Sequence, residues 1–177
     1  KYISTKDNLE EKIKEVMGKP YKNPSSMRED APKAFSCSSL ISYLYEGVYM
    51  PSLSIDKYLY TKDLGKEIKN KEDLKFGDLV FSTGDGKVYF EGIEYKKGEK
   101  VEGGVDHLGM YVGDGKILHS SRYLENGTEI ESFEDFVNKK GGDGERVIAG
   151  FGRVLENLDE ERFIIEVSSE RLDLRIK

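Results

Sequence analysis

Residues 107–121 read HLGMYVGDGKILHSS. Two runs of alternating apolar residues flank Gly113-Asp114-Gly115, the pattern of an antiparallel β-hairpin. A three-residue loop with Gly115 left-handed pairs Val112 with Lys116, and hence Gly109 with His119. His107 and His119 are the only histidines in the chain. In that register they share a face as diagonal neighbours, with Cβ atoms roughly 7 Å apart. Gly109 has no side chain to fill the space opposite His119. A two-residue loop would instead send the two rings to opposite faces, because strand side chains alternate. An isolated hairpin is marginal in water, so this one must join a larger sheet.

The neighbouring segments supply that sheet. LVFS at 79–82 and VIAGFGRVL at 147–155 read as strands, and KVYFEGIEYK at 87–96 as a second hairpin around Gly92. FIIEV (163–167) and RLDLRI (171–176) also favour strand. Helices come first. NLEEKIKEVM (8–17) puts Leu9, Ile13 and Val16 on one face, with Asn8 as cap and Gly18 and Pro20 as stop. A second helix is expected over about 37–46, ended by Gly47 and Pro51. Short helices are expected at 56–59 and at 132–137, the latter capped by Ser132. Asn126-Gly127-Thr128 reads as a turn. Helices followed by a mostly antiparallel sheet define an α+β fold. With 177 residues, one compact domain is expected.

Charge narrows the function classes. The net charge is −6, and no Lys/Arg block stands clear of acidic neighbours, which argues against nucleic acid and anionic membrane surfaces as partners. No apolar run approaches the roughly 20 residues that span a bilayer, so no integral membrane segment is expected in this chain. The chain begins at Lys1 rather than Met, which points to processing or trimming ahead of it. P-loop, GxGxxG and GxSxG motifs are absent.

The single cysteine, Cys37, opens the second helix in FSCSSLISYLY (35–45). First-turn amides lack intrahelical partners, and the helix dipole is positive there, so a thiolate is favoured at this place. Ser36 is positioned as the cap, and the amides around Cys37 can receive an oxyanion. Cys37 also shares a stripe with Ile41 and Leu44, and small buried cysteines are common. Two histidines on one face of a distant hairpin shift the balance toward catalysis. A thiol needs a base, and the base needs an orienting partner. Cys37 as nucleophile, His107 as base and His119 as orienter meet that requirement. Asp106 is a weaker orienter because it alternates to the other face. The same three residues form a zinc set with an open position, but no CxxC or HExxH pair supports it, and no metal or other cofactor is expected.

These motifs together resemble the NlpC-type cysteine peptidases that cut bacterial cell-wall peptides. VMGKPY resembles the segment that leads to the family's catalytic loop, with Tyr21 at its frequent tyrosine. FSCSSLISYLY resembles the nucleophile helix, usually Asp-Cys-Ser-Gly. YMPSLS (49–54) resembles the segment after that helix, and DLKFGDLVF (73–81) the entry to the first central strand. DHLGMYVGDGKILHSS (106–121) is the closest match, and GFGRVL resembles the closing strand. The likeness runs from the first helix to about Leu155.

The resemblance implies a papain-like fold, with the cysteine helix packed on a sheet that carries the histidines. Residues 1–155 would form the peptidase domain, with a hairpin inserted near 83–104. Residues 156–177 would be a C-terminal extension of strands. Cys37, His107 and His119 take the family's catalytic positions, and Tyr21, Ser36, Ser38, Ser39 and Arg122 its substrate side. The implied reaction is hydrolysis of an amide in a peptidoglycan stem peptide through an acyl-enzyme, by an extracytoplasmic monomer whose leader or anchor lies outside this chain. Ser36 and Ser39 replace the usual Asp and Gly, and Lys22-Asn23-Pro24 stands where Trp-Gly-Gly often follows the tyrosine. Those departures and the inserted hairpin motivate one alternative, thiol amidase or acyltransferase chemistry on another substrate; a second, a non-catalytic wall-binding module, is opposed by the intact Cys37, His107 and His119.

Overall fold

A computed structural model of the chain describes residues 2–48, 50–83, 105–139 and 144–163. The hairpin expected at 87–96, the strand expected at 171–176 and all of FIIEV beyond Phe163 lie outside the described residues.

Strand β1 (Tyr2–Ser4) leads directly into helix α1 (Thr5–Val16). The helix starts ahead of Asn8, because Ser4 is the cap: its Oγ accepts from the Asp7 amide at 3.0 Å. Helix α2 (Cys37–Leu44) ends slightly earlier than the apolar stripe suggests, and Gly47 follows in a left-handed conformation at φ 89°. Helix α3 (Ser54–Asp63) is longer than the short helix expected at 56–59. Its inner side is built partly from polar residues, Ser54, Lys57 and Thr61, so its apolar periodicity is weak in the sequence.

The strands are β2 (Lys66–Ile68), β3 (Leu79–Thr83), β4 (His107–Gly113), β5 (Lys116–Ser120) and β6 (Thr128–Ser132). Helix α4 (Phe133–Val137), strand β7 (Val147–Arg153) and strand β8 (Glu161–Phe163) follow. Strands β2 to β7 form one antiparallel sheet in the order β2-β7-β3-β4-β5-β6, while β8 pairs with β1. The expected cap of α4 is present, with Ser132 Oγ accepting from the Asp135 amide at 3.0 Å.

Alternation along the strands makes two cores. Leu79, Phe81, Leu108, Met110 and Leu118 pack with Leu40, Ile41 and Leu44 of α2 and with Leu9 and Val16 of α1. Val80 and Ile117 face the other way, against Ile68, Leu74 and Phe136 of α4. A bidentate pair holds the central strands together: Arg153 on β7 donates through Nε and Nη2 to both Asp78 carboxylate oxygens at 2.8 Å.

The β4–β5 hairpin corrects one expectation and preserves its consequence. Gly113 pairs with Lys116, so the loop has two residues, Asp114 and Gly115, at φ 51° and 68°. Such a loop alone would have put the histidines on opposite faces. The register shifts between Tyr111 and Gly113, leaving Val112 as the extra residue of a β-bulge. Beyond the bulge Tyr111 pairs with Ile117 and Met110 with Leu118, which sets Gly109 opposite His119 as the three-residue loop would have done. A Cβ on Gly109 would come within 3.1 Å of the His119 Cβ and 2.5 Å of Ile117 Cγ2.

Candidate active site

The N-terminus of α2 is fixed by a capping box. Ser36 Oγ accepts from the Ser39 amide at 3.2 Å, and Ser39 Oγ accepts from the Ser36 amide at 2.9 Å. Ser25 adds a second layer, with Oγ 2.6 Å from Ser39 Oγ and accepting from the Ser36 amide at 2.9 Å. The two serines that depart from the family pattern therefore close the helix end on themselves. Their neighbour Ser38 donates to the carbonyl of Ser52 and accepts from Lys57 Nζ at 2.9 Å.

Cys37 stands on this turn, partly buried. Its Sγ lies 3.6 Å from Ser54 Oγ and 3.8 Å from the carbonyl oxygen of Asp106, the residue just ahead of His107. Burial pushes the thiol pKa up, and the hydrogen bonds from Ser54 and nearby backbone offset only part of that rise. The depression expected at a helix N-terminus is outweighed here by desolvation.

The histidines form a chain with a third member. His107 Nε2 is 2.9 Å from His119 Nδ1, and His119 Nε2 is 2.7 Å from Glu131 Oε1. A carboxylate accepts, so His119 donates from Nε2 and its Nδ1 is the acceptor for the Nε2–H of His107. That arrangement leaves Nδ1 of His107 with a free lone pair, the form a general base requires. Phe136 of α4 stacks on His107 at 5.6 Å between centroids and meets His119 edge-on at 4.9 Å. Burial pushes the His107 pKa well down, with His119 and then Arg146 adding to it, and burial lowers that of His119 too. Both rings are therefore neutral at pH 7.

Alternation sends both histidines to the α4 side of the sheet, while Cys37 heads the helix on the opposite side. They meet at the start of β4, where Cys37 and His107 line one cavity of about 880 Å³. Among the described residues, the hydrogen-bond partners of the sulfur are Ser54 and the Asp106 carbonyl rather than the His107 ring. Tyr21, Ser36, Ser38, Ser39 and Arg122 all line the same cavity. His119 does not, since it is fully buried behind His107. Tyr21 is held in place from two sides. It bridges to Phe35, next to the cap, and Gly127 packs so closely that a Cβ there would lie 2.4 Å from the Tyr21 nitrogen. Burial, and then Cys37, push the phenol pKa of Tyr21 up.

Two functional candidates were missed in the sequence. Glu131 falls in TEIES, whose alternation puts Glu129 and Glu131 on one face, but it was not read as a strand. Arg146 lies in the α4–β7 connection, directly before β7, and shows no motif; only the fold brings it to the cavity. No cluster of three His, Cys, Asp or Glu side chains suited to a metal ion occurs among the described residues.

Residues 18–140 match the family model described as the NlpC/P60 family. The chain belongs to the NlpC/P60 family, and its mixed helix and antiparallel sheet is the papain-like fold of that family's structures. An NlpC/P60 protein from Bacillus cereus is 25% identical with a TM-score of 0.60, covering 88% of this chain and 41% of that one. NlpC2 from Trichomonas vaginalis is 19% identical with a TM-score of 0.60, covering 85% of this chain and 46% of the other. RipD from Mycobacterium tuberculosis, a non-catalytic NlpC/p60 domain protein adapted to peptidoglycan binding, is 16% identical with a TM-score of 0.54, over 86% of this chain and 99% of that one. The chain spans less than half the length of the first two structures. No curated protein matches it.

Proposed function

We propose that this chain is a cysteine hydrolase of peptidoglycan stem peptides. The observation that carries the reading is the Glu131–His119–His107 chain ending in the cavity that Cys37 lines. Membership of the NlpC/P60 family, which is typically one of peptidoglycan hydrolases, supports the substrate class.

In this reading a stem-peptide carbonyl enters the cavity between Cys37 and the start of β4. Nδ1 of His107 takes the thiol proton as Sγ attacks, and the oxygen that gains charge is received by amides at the head of α2. The imidazolium then returns the proton to the leaving amine. Water, deprotonated by the same ring, releases the acyl group and regenerates the thiol. His119 and Glu131 hold the His107 tautomer and steady its charge; they do not touch substrate. A neutral thiol and a neutral imidazole at rest suit this general-base route, in which the charge pair forms as substrate binds. Tyr21 and Arg122 supply polar contacts at the cavity wall. The protein acts outside the cytoplasm, where its substrate is, and as a monomer.

Digestion of purified peptidoglycan tests this. Wild type releases fragments whose new amino and carboxyl termini identify the bond, and Cys37→Ala releases none. Binding to peptidoglycan without any release by wild type favours the second reading, a wall-binding module like RipD. That reading is motivated by a sulfur bonded to Ser54 and the Asp106 carbonyl rather than to His107.

A further inference from the structure

Lys57 of α3 is fully buried, a rare state for a lysine, and lies behind the cavity wall rather than on it. Its Nζ donates to Ser38 Oγ and Ser42 Oγ at 2.9 Å, to the Pro51 carbonyl at 2.6 Å and to the Ser52 carbonyl at 3.0 Å. Three of these oxygens can only accept, because Ser38 spends its own proton on the Ser52 carbonyl. Three such acceptors match the three protons of an ammonium.

The bonds tie two segments to one charge. Ser38 and Ser42 stand one turn apart on α2, and Ser38 directly follows Cys37. Pro51 and Ser52 lead into α3, whose first residue, Ser54, has its hydroxyl 3.6 Å from Cys37 Sγ. The ammonium therefore fixes both the turn that carries the sulfur and the segment that carries the sulfur's hydroxyl partner. It is also coupled to the sulfur by charge. Burial lowers the Lys57 pKa, while the negative charges of Cys37 and of Asp56 on its own helix raise it. Attraction between two charges is mutual, so the ammonium favours the thiolate to the same extent.

We propose that Lys57 is a positioning residue for the reaction, a fixed cation behind Cys37 that steadies the negative charge on Sγ as His107 takes the thiol proton. The inference rests on Cys37 being the nucleophile. Other charged groups act on Cys37 as well: Asp106 opposes the thiolate and Arg146 attracts it. Arginine stays protonated, the two histidines are already neutral, and the Tyr21 phenol is held above its ordinary pKa. None of those four changes charge between pH 7 and 9, whereas Lys57 does, with a pKa of about 8.

Alkylation of Cys37 by iodoacetamide across that range tests the proposal. The chain has one cysteine, so intact mass reports Cys37 alone, and the rate follows the thiolate fraction. Lys57→Gln keeps a donor for the serines and removes the charge. It should react about tenfold more slowly than wild type at pH 7. The two rates should converge above about pH 9, where the wild-type lysine has lost its proton. A role in packing alone would give the same ratio at every pH. That result overturns the proposal and leaves Cys37 as nucleophile, and so do equal rates at pH 7. If Lys57→Gln does not fold, the wild-type profile decides. From pH 7 to 9 its rate should rise by about twentyfold, against about a hundredfold for a thiol below its pKa with no such neighbour. A full hundredfold rise overturns the proposal. No reaction of wild-type Cys37 at any pH overturns both the proposal and the reading of Cys37 as nucleophile.

Discussion

Glu131 shows what a single side chain contributes to this site. Without its carboxylate, His119 is free to carry its proton on either nitrogen, and His107 can no longer rely on an acceptor at His119 Nδ1. Glu131→Gln keeps the shape but can donate as well as accept. The expected result is a loss of hydrolysis of about a hundredfold or more with little change in far-UV circular dichroism. ¹⁵N shifts of the histidine rings should show a mixed tautomer in place of a single one. An unaltered rate would remove Glu131 from the relay. Cys37, His107 and His119 were legible in the sequence because cysteine and histidine are rare in this chain and chemically distinctive. Glu131 was not, since the chain has many acidic residues and nothing local separates a buried one from the rest. Arg146 is hidden likewise among 28 lysines and arginines, with no local motif to mark it.

At the scale of elements, the site depends on three local devices: the capping box of α2, the bulge at Val112 and the close packing of Gly127 on Tyr21. The capping box was half legible. Ser36 is expected as a cap from its place ahead of the helix, but the reciprocal bond from Ser39 is not, because the usual capping-box residue at that position is Glu or Gln. The bulge was not legible at all. GDG closes both two- and three-residue hairpins, and only pairing with β3 and β5 decides between them. The shared face of the histidines was reached through the wrong loop, since the bulge restores the residue that the shorter turn omits. Gly127 allows a direct check. It sits at φ 81°, and a Cβ there would press within 2.8 Å of three backbone atoms between Lys19 and Tyr21. Gly127→Ala should destabilise the fold by about 2–3 kcal/mol in urea unfolding. It should also weaken catalysis by shifting Tyr21. An effect below about 0.5 kcal/mol, the range of ordinary surface changes, would mean that the turn yields easily.

The α+β class and the packing of α2 on a histidine-bearing sheet followed from the order and periodicity of the segments, which are properties of the entire chain. Polar burial has no such signal in the sequence, above all that of Lys57, which is fully buried beneath the Cys37 turn with Nζ bonded to Ser38, Ser42 and the carbonyls of Pro51 and Ser52. Its effect belongs to the pH dependence of the whole fold. Burial lowers its pKa from 10.5 to about 8. The unfolded chain therefore holds the extra proton between those values, and stability rises with pH across that window by up to about 3 kcal/mol. Half-buried Tyr43 and buried Tyr45 act in the opposite sense, because their raised pKa values cost stability once the unfolded phenols ionise near about pH 10. His107 and His119, buried and neutral, withdraw stability as pH falls below about 6.5, where the unfolded imidazoles charge first. Urea unfolding should thus show a decline on the acid side and a rise between about pH 8 and 10 that Lys57→Met abolishes. An alkaline limb in wild type that matches that of Lys57→Met would place the Lys57 amine at an ordinary pKa. All of these features converge on one thiol, so its reactivity is the decisive quantity. Alkylation of Cys37 by iodoacetamide at pH 7, followed by intact mass in wild type and in folded His107→Ala, should be faster in wild type by about a hundredfold. Equal rates in the two proteins would contradict the assignment of His107 as the base that activates Cys37.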